Sequence, residues 1–178
     1  MEKTDHLLRM VYSPEEIALR VSGLAARINQ RYAQEPLTVV CVLKGAFMLF
    51  ADLVRQLKMP VQTDFVRLSS YGGQTFSCRE IRLIKDVDCE LDGCNVVIVE
   101  DIVDTGHSMN CLLREFEGRG AKSLALAALV DKPERREVYV KVDFAGFHGA
   151  GGFMVGYGLD FAEQYRELPA IYELCFAE

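Results

Sequence analysis

The run Asn95-Val-Val-Ile-Val-Glu-Asp-Ile-Val-Asp-Thr-Gly-His-Ser108 decides how this chain folds. Residues 95–99 form an apolar, largely β-branched stretch opened by the turn pair Asp92-Gly93, the pattern of a strand buried on both faces. Beyond Ser108, Met109, Leu112, Leu113 and Phe116 recur at helical spacing, and Gly118 or Gly120 offers a stop. Strand, acidic loop and helix are therefore expected in direct succession.

The same grammar recurs on either side. Leu37 to Leu43 follows Pro36 as a second buried strand and breaks at Lys44-Gly45, after which Phe47, Phe50, Val54 and Leu57 mark a helix ending near Pro60. Val61 opens an extended run through Phe65, Val66 and Leu68 that leads into the polar, glycine-containing residues 69–77, read as a mobile loop. Residues 124–130 (LALAALV) fit helix or strand by periodicity; their short length and the punctuation Asp131-Lys132-Pro133 favour a strand. Upstream, Ser13-Pro14-Glu15-Glu16 combines a capping serine, a proline at the first helical position and a glutamate three residues after the cap. Ile17, Val21, Leu24 and Ile28 then give one apolar stripe. Strands alternating with helices predict an α/β fold, a mainly parallel twisted sheet flanked by helices. Residues 144–147, 153–157 and a short helix near 161–167 are expected in a smaller appended subregion, with all of 1–178 as one domain.

Half of the 178 residues are apolar, ordinary for a globular chain, and no apolar run approaches the ~18 residues of a membrane span. Acids outnumber bases 26 to 20, for a formal charge of −6. That balance argues against nucleic-acid or anionic-membrane binding, which needs a basic field. An anionic small substrate stays open, because a local cationic pocket or a divalent metal reverses the field at a site. The cysteines at 41, 78, 89, 94, 111 and 175 contain no Cys-x-x-Cys pair and no nearby histidine at zinc spacing. They read as free, buried thiols in a reducing compartment. Residues 1–10 lack a signal-peptide pattern, and the expectation is a soluble, cytoplasmic protein.

Ligands of open α/β sheets sit beyond the carboxyl ends of the strands, where this chain sets Glu100, Asp101 and Asp104 just before Thr105-Gly106-His107-Ser108. Carboxylates there can hold sugar hydroxyls or a hydrated cation, and the N–H groups of residues 105–108, aided by the helix dipole, can hold a phosphate. One short loop would grip both ends of a sugar phosphate. The same residues also suit an acidic turn in which Thr105 or Ser108 merely caps the helix.

Residues 96–108 resemble the phosphoribosyl-pyrophosphate-binding motif of type I phosphoribosyltransferases, in the form found in the hypoxanthine-guanine enzymes. Other segments match in the family's order: Leu43-Lys44-Gly45, Ser70-Tyr71-Gly72-Gly73, Asp131-Lys132-Pro133, Val155-Gly156-Tyr157-Gly158-Leu159-Asp160 and Tyr165-Arg166-Glu167-Leu168. The resemblance implies a small hood over the sheet and a purine-salvage activity. In that reaction Mg²⁺-dependent transfer of 5-phosphoribose from phosphoribosyl pyrophosphate to N9 of hypoxanthine or guanine gives IMP or GMP and pyrophosphate. By the same match, Glu100 and Asp101 would bind the ribose hydroxyls, and the amides of Asp104, Thr105, Gly106, His107 and Ser108 the 5′-phosphate. Lys44, Gly45 and Arg166 would lie by the pyrophosphate, and Glu100, Asp101 and Asp160 would serve Mg²⁺. Asp104 would be the catalytic group near purine N7, and Lys132 would donate to the 6-oxo group. Phe153 would stack on the base, and the backbone at Met154 and Asp160 would read its other edge. Ser70 and Tyr71 would belong to a loop that closes over the site. A homodimer or homotetramer is also implied.

This chain departs from the family where relatives carry an acidic, proline-containing segment before the stacking aromatic. It has His148-Gly149-Ala150-Gly151-Gly152, a less constrained stretch, and Met154 replaces the usual valine, so preference among hypoxanthine, guanine and xanthine stays open. Taken alone, Lys132 reads as a solvated turn lysine and Phe153 as a core aromatic. His107 reads as a loop residue presenting its N–H. The rival function class is a non-enzymatic regulator on the same fold that binds nucleic acid or a signalling nucleotide. The acidic balance and the presence of Asp104, Lys132 and Tyr71 argue against it. Asp101 and Asp104 lack the Asp-x-Asp spacing of aspartyl phosphohydrolases, and no Gly-x-x-x-x-Gly-Lys-[Ser/Thr] or Gly-x-Gly-x-x-Gly motif supports an ATPase or dinucleotide enzyme.

Overall fold

The structure, a computed structural model, describes residues 6–70, 81–149 and 152–176. Its elements run β1 (His6–Tyr12), α1 (Pro14–Tyr32), β2 (Leu37–Leu43), α2 (Phe47–Val54), β3 (Val61–Ser70), β4 (Ile81–Lys85), β5 (Asn95–Val103), α3 (His107–Glu117), β6 (Ser123–Asp131), β7 (Phe144–His148), β8 (Phe153–Val155) and β9 (Ile171–Phe176). The main sheet has six strands in the order β4-β3-β2-β5-β6-β7, all parallel except β4. The apolar runs became its centre, with Leu37 opposite Asn95 and Cys41 opposite Val99. Alternation along each strand then splits the core in two. Val39, Cys41, Val97 and Val99 face α1 and α2 through Leu24, Ile28, Leu49 and Leu53, whereas Val40, Val96 and Ile98 face Met109, Leu112 and Phe116 of α3.

Helix α1 begins as its sequence dictates. Ser13 Oγ accepts the Glu16 N–H at 3.3 Å while Glu16 Oε2 accepts the Ser13 N–H at 2.8 Å, satisfying two end groups reciprocally. The stripe Ile17, Val21, Leu24 and Ile28 is buried, joined by Ala25 and Tyr32. Helix α2 is shorter than expected, stopping at Val54, and buries Leu49, Phe50 and Leu53, with Phe47 at its exposed edge. So uniformly apolar a segment does not single out one face by periodicity.

Other expectations need correction. Strand β7 lies parallel to β6 in the main sheet, Ala127 opposite Phe144, and is not part of an appended subregion. The separate sheet, β1-β9-β8, takes one strand from each end of the chain, Leu7 pairing with Cys175. Residues 161–167 are not helical: Ala162, Glu163 and Tyr165 have φ of 50°, 64° and 77°, a left-handed conformation that no right-handed helix can incorporate. The cysteines divide. Cys41, Cys89, Cys94 and Cys175 are free, but Cys111 is disulfide-bonded. Its neighbours in sequence are apolar, yet on α3 it lies beside the buried stripe of Met109, Leu112 and Phe116 and stays half-buried. Among the described residues, no helix is long and apolar enough to cross a membrane.

One buried carboxylate ties the sheet edge together. Asp64 of β3 accepts N–H bonds from Phe65 (2.7 Å), Asp88 (2.7 Å) and Cys89 (2.9 Å). Burial alone would raise its pKa, but these donors outweigh it and hold the carboxyl below its ordinary value. Asp64→Asn is expected to cost about 2 kcal/mol in urea unfolding, because amide donors then meet a neutral or donating group. Since Asp64 binds its proton more weakly folded than unfolded, its contribution is complete above about pH 4. It is lost as pH falls through the lower, folded value. Comparing wild type and variant across that range tests it: their stabilities should converge in acid.

Candidate active site

Strand β5 carries Glu100 and Asp101 to the carboxyl end of the sheet, and the chain turns through residues 104–106 into α3. The N-cap of α3 is Gly106 at φ 92°, and no side chain caps the helix. Thr105 and Ser108 therefore do not act as caps, and a helix start without a side-chain cap is where the backbone and the helix dipole can hold an anion. Glycine is required there: a Cβ on Gly106 would lie 2.5 Å from the Val138 carbonyl. Above this loop is a cavity of about 250 Å³ bordered by Leu43, Leu68, Glu100, Thr105 and Ser108. A second, of about 300 Å³, is walled by Asp101, Lys132, Arg135, Phe153, Met154 and Asp160. The two share Ile102 and Asp104.

At the strand end, burial first and the adjacent Asp101 second push the Glu100 carboxyl well above the ordinary range. The Asp101 N–H donates to Glu100 Oε1 at 3.2 Å. The Leu43–Lys44 peptide bond is cis. Gly45 lies against Asp101 so closely that a Cβ would stand 1.6 Å from Asp101 Oδ2. The hood touches the same loop, since a Cβ on Gly158 would lie 2.1 Å from the Gly45 carbonyl.

Lys132 is 3% exposed, and its Nζ donates to the Gly152 carbonyl at 3.1 Å, so it is no solvated turn lysine. Phe153 is no core residue either: it is 49% exposed and meets Phe161 edge-on, with ring centroids 5.6 Å apart. Met154 is buried with its backbone paired to β9. Asp104 Oδ1 lies 3.1 Å from Arg135 Nε, an ion-pair distance without hydrogen-bond alignment, and among the described residues is otherwise enclosed without a hydrogen-bond partner. Arg135 carried no sequence signal beyond following Lys132-Pro133.

Lys44 and Arg166 are brought together through carboxylates. Arg166 Nη2 lies 2.7 Å from Asp160 Oδ1, and Nη1 donates to the Gly158 carbonyl at 2.7 Å. Lys44 Nζ donates to Glu163 Oε2 at 2.8 Å. Glu163 was missed by the sequence reading, although its spacing of three from both Asp160 and Arg166 could have marked it. His107, expected as a loop residue, is instead the first residue of α3, and its Nε2 lies 3.0 Å from Glu137 Oε2.

Among the described residues, no three His, Cys, Asp or Glu side chains converge as a ligand group. Glu100 is buried, and Asp160 is engaged by Arg166 and by the Glu163 N–H at 2.8 Å. So sparse a carboxylate set fits Mg²⁺ only if substrate oxygens and water complete its shell, which is that ion's usual habit. Ser70 ends β3, but Tyr71 and the rest of the closing loop's residues lie outside the described residues.

Comparison with known proteins bears on the family and the fold. A family model for the phosphoribosyl transferase domain matches residues 9–162. The hypoxanthine phosphoribosyltransferase of Buchnera aphidicola subsp. Schizaphis graminum is 39% identical over 173 residues, 96% of this chain and 98% of that protein. The hypoxanthine-guanine phosphoribosyltransferase of Bacillus subtilis is 40% identical over 92% of this chain and 91% of its own. A crystal structure of a hypoxanthine-guanine phosphoribosyltransferase from Bacillus anthracis, 41% identical, matches with a TM-score of 0.89 over 92% of this chain and 96% of that one. In sequence and in fold alike, this chain belongs to the phosphoribosyl transferase family.

Proposed function

We propose that this chain transfers 5-phosphoribose from phosphoribosyl pyrophosphate to N9 of hypoxanthine or guanine, a purine-salvage reaction yielding IMP or GMP and pyrophosphate. The observation that carries the reading is the pair of cavities joined at Asp104. One has an uncapped helix start for a phosphate, and the other has a buried cation and an exposed aromatic face for a 6-oxopurine. The new bond from C1 of ribose to N9 then forms at the shared wall.

The N–H groups of residues 104–108 bind the 5′-phosphate, while Asp101 and Glu100 meet the ribose hydroxyls and favour positive charge developing on the ring. Lys44 and Arg166 take up charge on the departing pyrophosphate. Mg²⁺, held mainly by substrate oxygens with Asp160, Asp101 or Glu100 contributing directly or through water, would neutralise part of that charge. On the base, Lys132 donates to the 6-oxo group and Phe153 stacks on the ring. The backbone at Met154 and Asp160 reads the far edge, and Asp104 accepts or stabilises the N7 proton as N9 is glycosylated. Ser70 and Tyr71, with their loop, exclude water from the reacting sugar. We treat residues 1–178 as one domain with the β1-β9-β8 sheet as its hood, assembling as a homodimer or homotetramer. A cytoplasmic setting is proposed on the four free thiols, against which the Cys111 disulfide is the opposing observation. The regulator reading has no support, since the relatives named above all carry enzyme names.

The test is nucleotide formation from phosphoribosyl pyrophosphate with hypoxanthine, guanine, xanthine and adenine separately, with and without Mg²⁺. Mg²⁺-dependent turnover of hypoxanthine or guanine, with adenine inert, is expected. Folded protein that binds phosphoribosyl pyrophosphate but turns over no base would return the argument to a regulator.

A further inference from the structure

We propose that Glu163 is an internal anion that occupies the diphosphate-binding cations of the free chain and must be displaced when phosphoribosyl pyrophosphate enters. It thereby sets the affinity for diphosphate and assists its release. The inference rests on the functional reading above. Glu163 faces two cations from distant parts of the chain, Oε2 lying 2.8 Å from Lys44 Nζ and Oε1 lying 3.5 Å from Arg166 Nη2. Each carboxylate oxygen thus faces a separate cation, as two oxygens of a diphosphate would. The turn that delivers it is specific. Glu163 sits at φ 64° between Ala162 at 50° and Tyr165 at 77°, and its N–H is fixed by Asp160 Oδ2 at 2.8 Å.

The two carboxylates on Arg166 play different parts, and exposure decides which one yields. The Arg166 and Asp160 side chains are 19% and 29% exposed and joined at 2.7 Å, whereas those of Lys44 and Glu163 are 44% and 65% exposed. An exposed ion pair is worth a factor of about five or less in an equilibrium constant. Asp160 therefore frames Arg166, and Glu163 is the partner that exchanges. A diphosphate carries more charge than a carboxylate and makes stronger charge-assisted bonds, so it wins Lys44. While Glu163 is in place Lys44 stays ordered, and its return after transfer competes with the pyrophosphate product. Glu163 is on this account a positioning residue acting through Lys44 and Arg166.

The experiment titrates Mg²⁺ with inorganic pyrophosphate into the full chain by calorimetry, for wild type, Glu163→Gln and Glu163→Asp, alongside KM for each substrate. Glu163→Gln is expected to bind pyrophosphate about three- to fivefold tighter and to lower KM for phosphoribosyl pyrophosphate by a similar factor. KM for hypoxanthine should move less than about twofold, because that substrate touches neither cation. Glu163→Asp keeps the charge on a shorter arm and should fall between the two. Equal or weaker pyrophosphate binding by Glu163→Gln overturns the proposal. A wild-type chain that binds no pyrophosphate and turns over no base overturns the functional reading and this one together. Wild-type binding with an unresponsive variant overturns this one alone.

Discussion

Asp104→Asn is expected to lower kcat with hypoxanthine on the order of 10²-fold while leaving the unfolding transition nearly in place. Asp104 stands on the wall shared by both cavities, the position a group must hold to reach a base being joined to C1 of the ribose. Among the described residues its Oδ1 is enclosed with no hydrogen-bond partner, only the ion-pair neighbour Arg135, and so keeps an acceptor for a proton on N7. Asparagine preserves the shape but cannot take that proton, and the loss corresponds to about 2.7 kcal/mol of barrier. Little stability should go with it, because Arg135, the ion-pair partner, has a side chain 59% exposed and such pairs hold little. Initial rates at saturating substrates, read beside urea unfolding curves, make the comparison. Near-normal turnover would remove Asp104 from the chemistry.

The second large effect is expected at Lys132. The ammonium is buried, and only one of its three donors is used among the described residues, on the Gly152 carbonyl. The remaining donors are what a 6-oxo group would meet, and adenine's amino group would offer them no acceptor. Lys132→Ala should reduce kcat/KM for hypoxanthine and guanine about 10²-fold, the value of a charged hydrogen bond in a desolvated pocket. KM for phosphoribosyl pyrophosphate should change less than about threefold. The gap between hypoxanthine and adenine should narrow. Equal losses for both substrates would mean that Lys132 supports the site as a whole and does not read the base. The variant should also lose about 1 kcal/mol of stability, since the Gly152 carbonyl is left without its donor.

Two different kinds of information separate what was legible in these residues from what was not. A strand buried on both faces must be continuously apolar, so the β-branched runs of β2 and β5 could be read directly, whereas β6, with Val130 its one β-branched residue, was favoured as a strand by its short length and the Asp131-Lys132-Pro133 punctuation. Helices α1 and α3 could be read from their stripes, and α1 also from its capping box. Strand β1 is largely exposed and β9 buried or partly so, and the two lie far apart in sequence. Their hydrophobic pattern is weak, and their pairing with each other, and of β9 with β8, is what makes them strands. The turn at residues 161–167 has helix-compatible composition, but its backbone is left-handed at Ala162, Glu163 and Tyr165, and the Asp160–Arg166 ion pair and the Arg166 bond to the Gly158 carbonyl brace it.

The site divides in the same way. The order of residue types along the chain was enough by itself to nominate the groups proposed here to carry the chemistry, Glu100, Asp101, Asp104, Lys132 and Arg166 among them, because that order resembles the family's motifs. It also determined the central strands and the helices beside them, since burial periodicity and capping act over a few neighbouring residues. Only the tertiary structure decided that Lys132 is buried, that Phe153 is half-exposed and that Arg135 lies beside Asp104. It likewise decided that Glu163 bridges Lys44 and Arg166, the first pair being 119 residues apart in sequence. The physical reason is range: an ion pair or a cavity wall depends on how separate turns fold back on the sheet, and local spacing carries no record of that return.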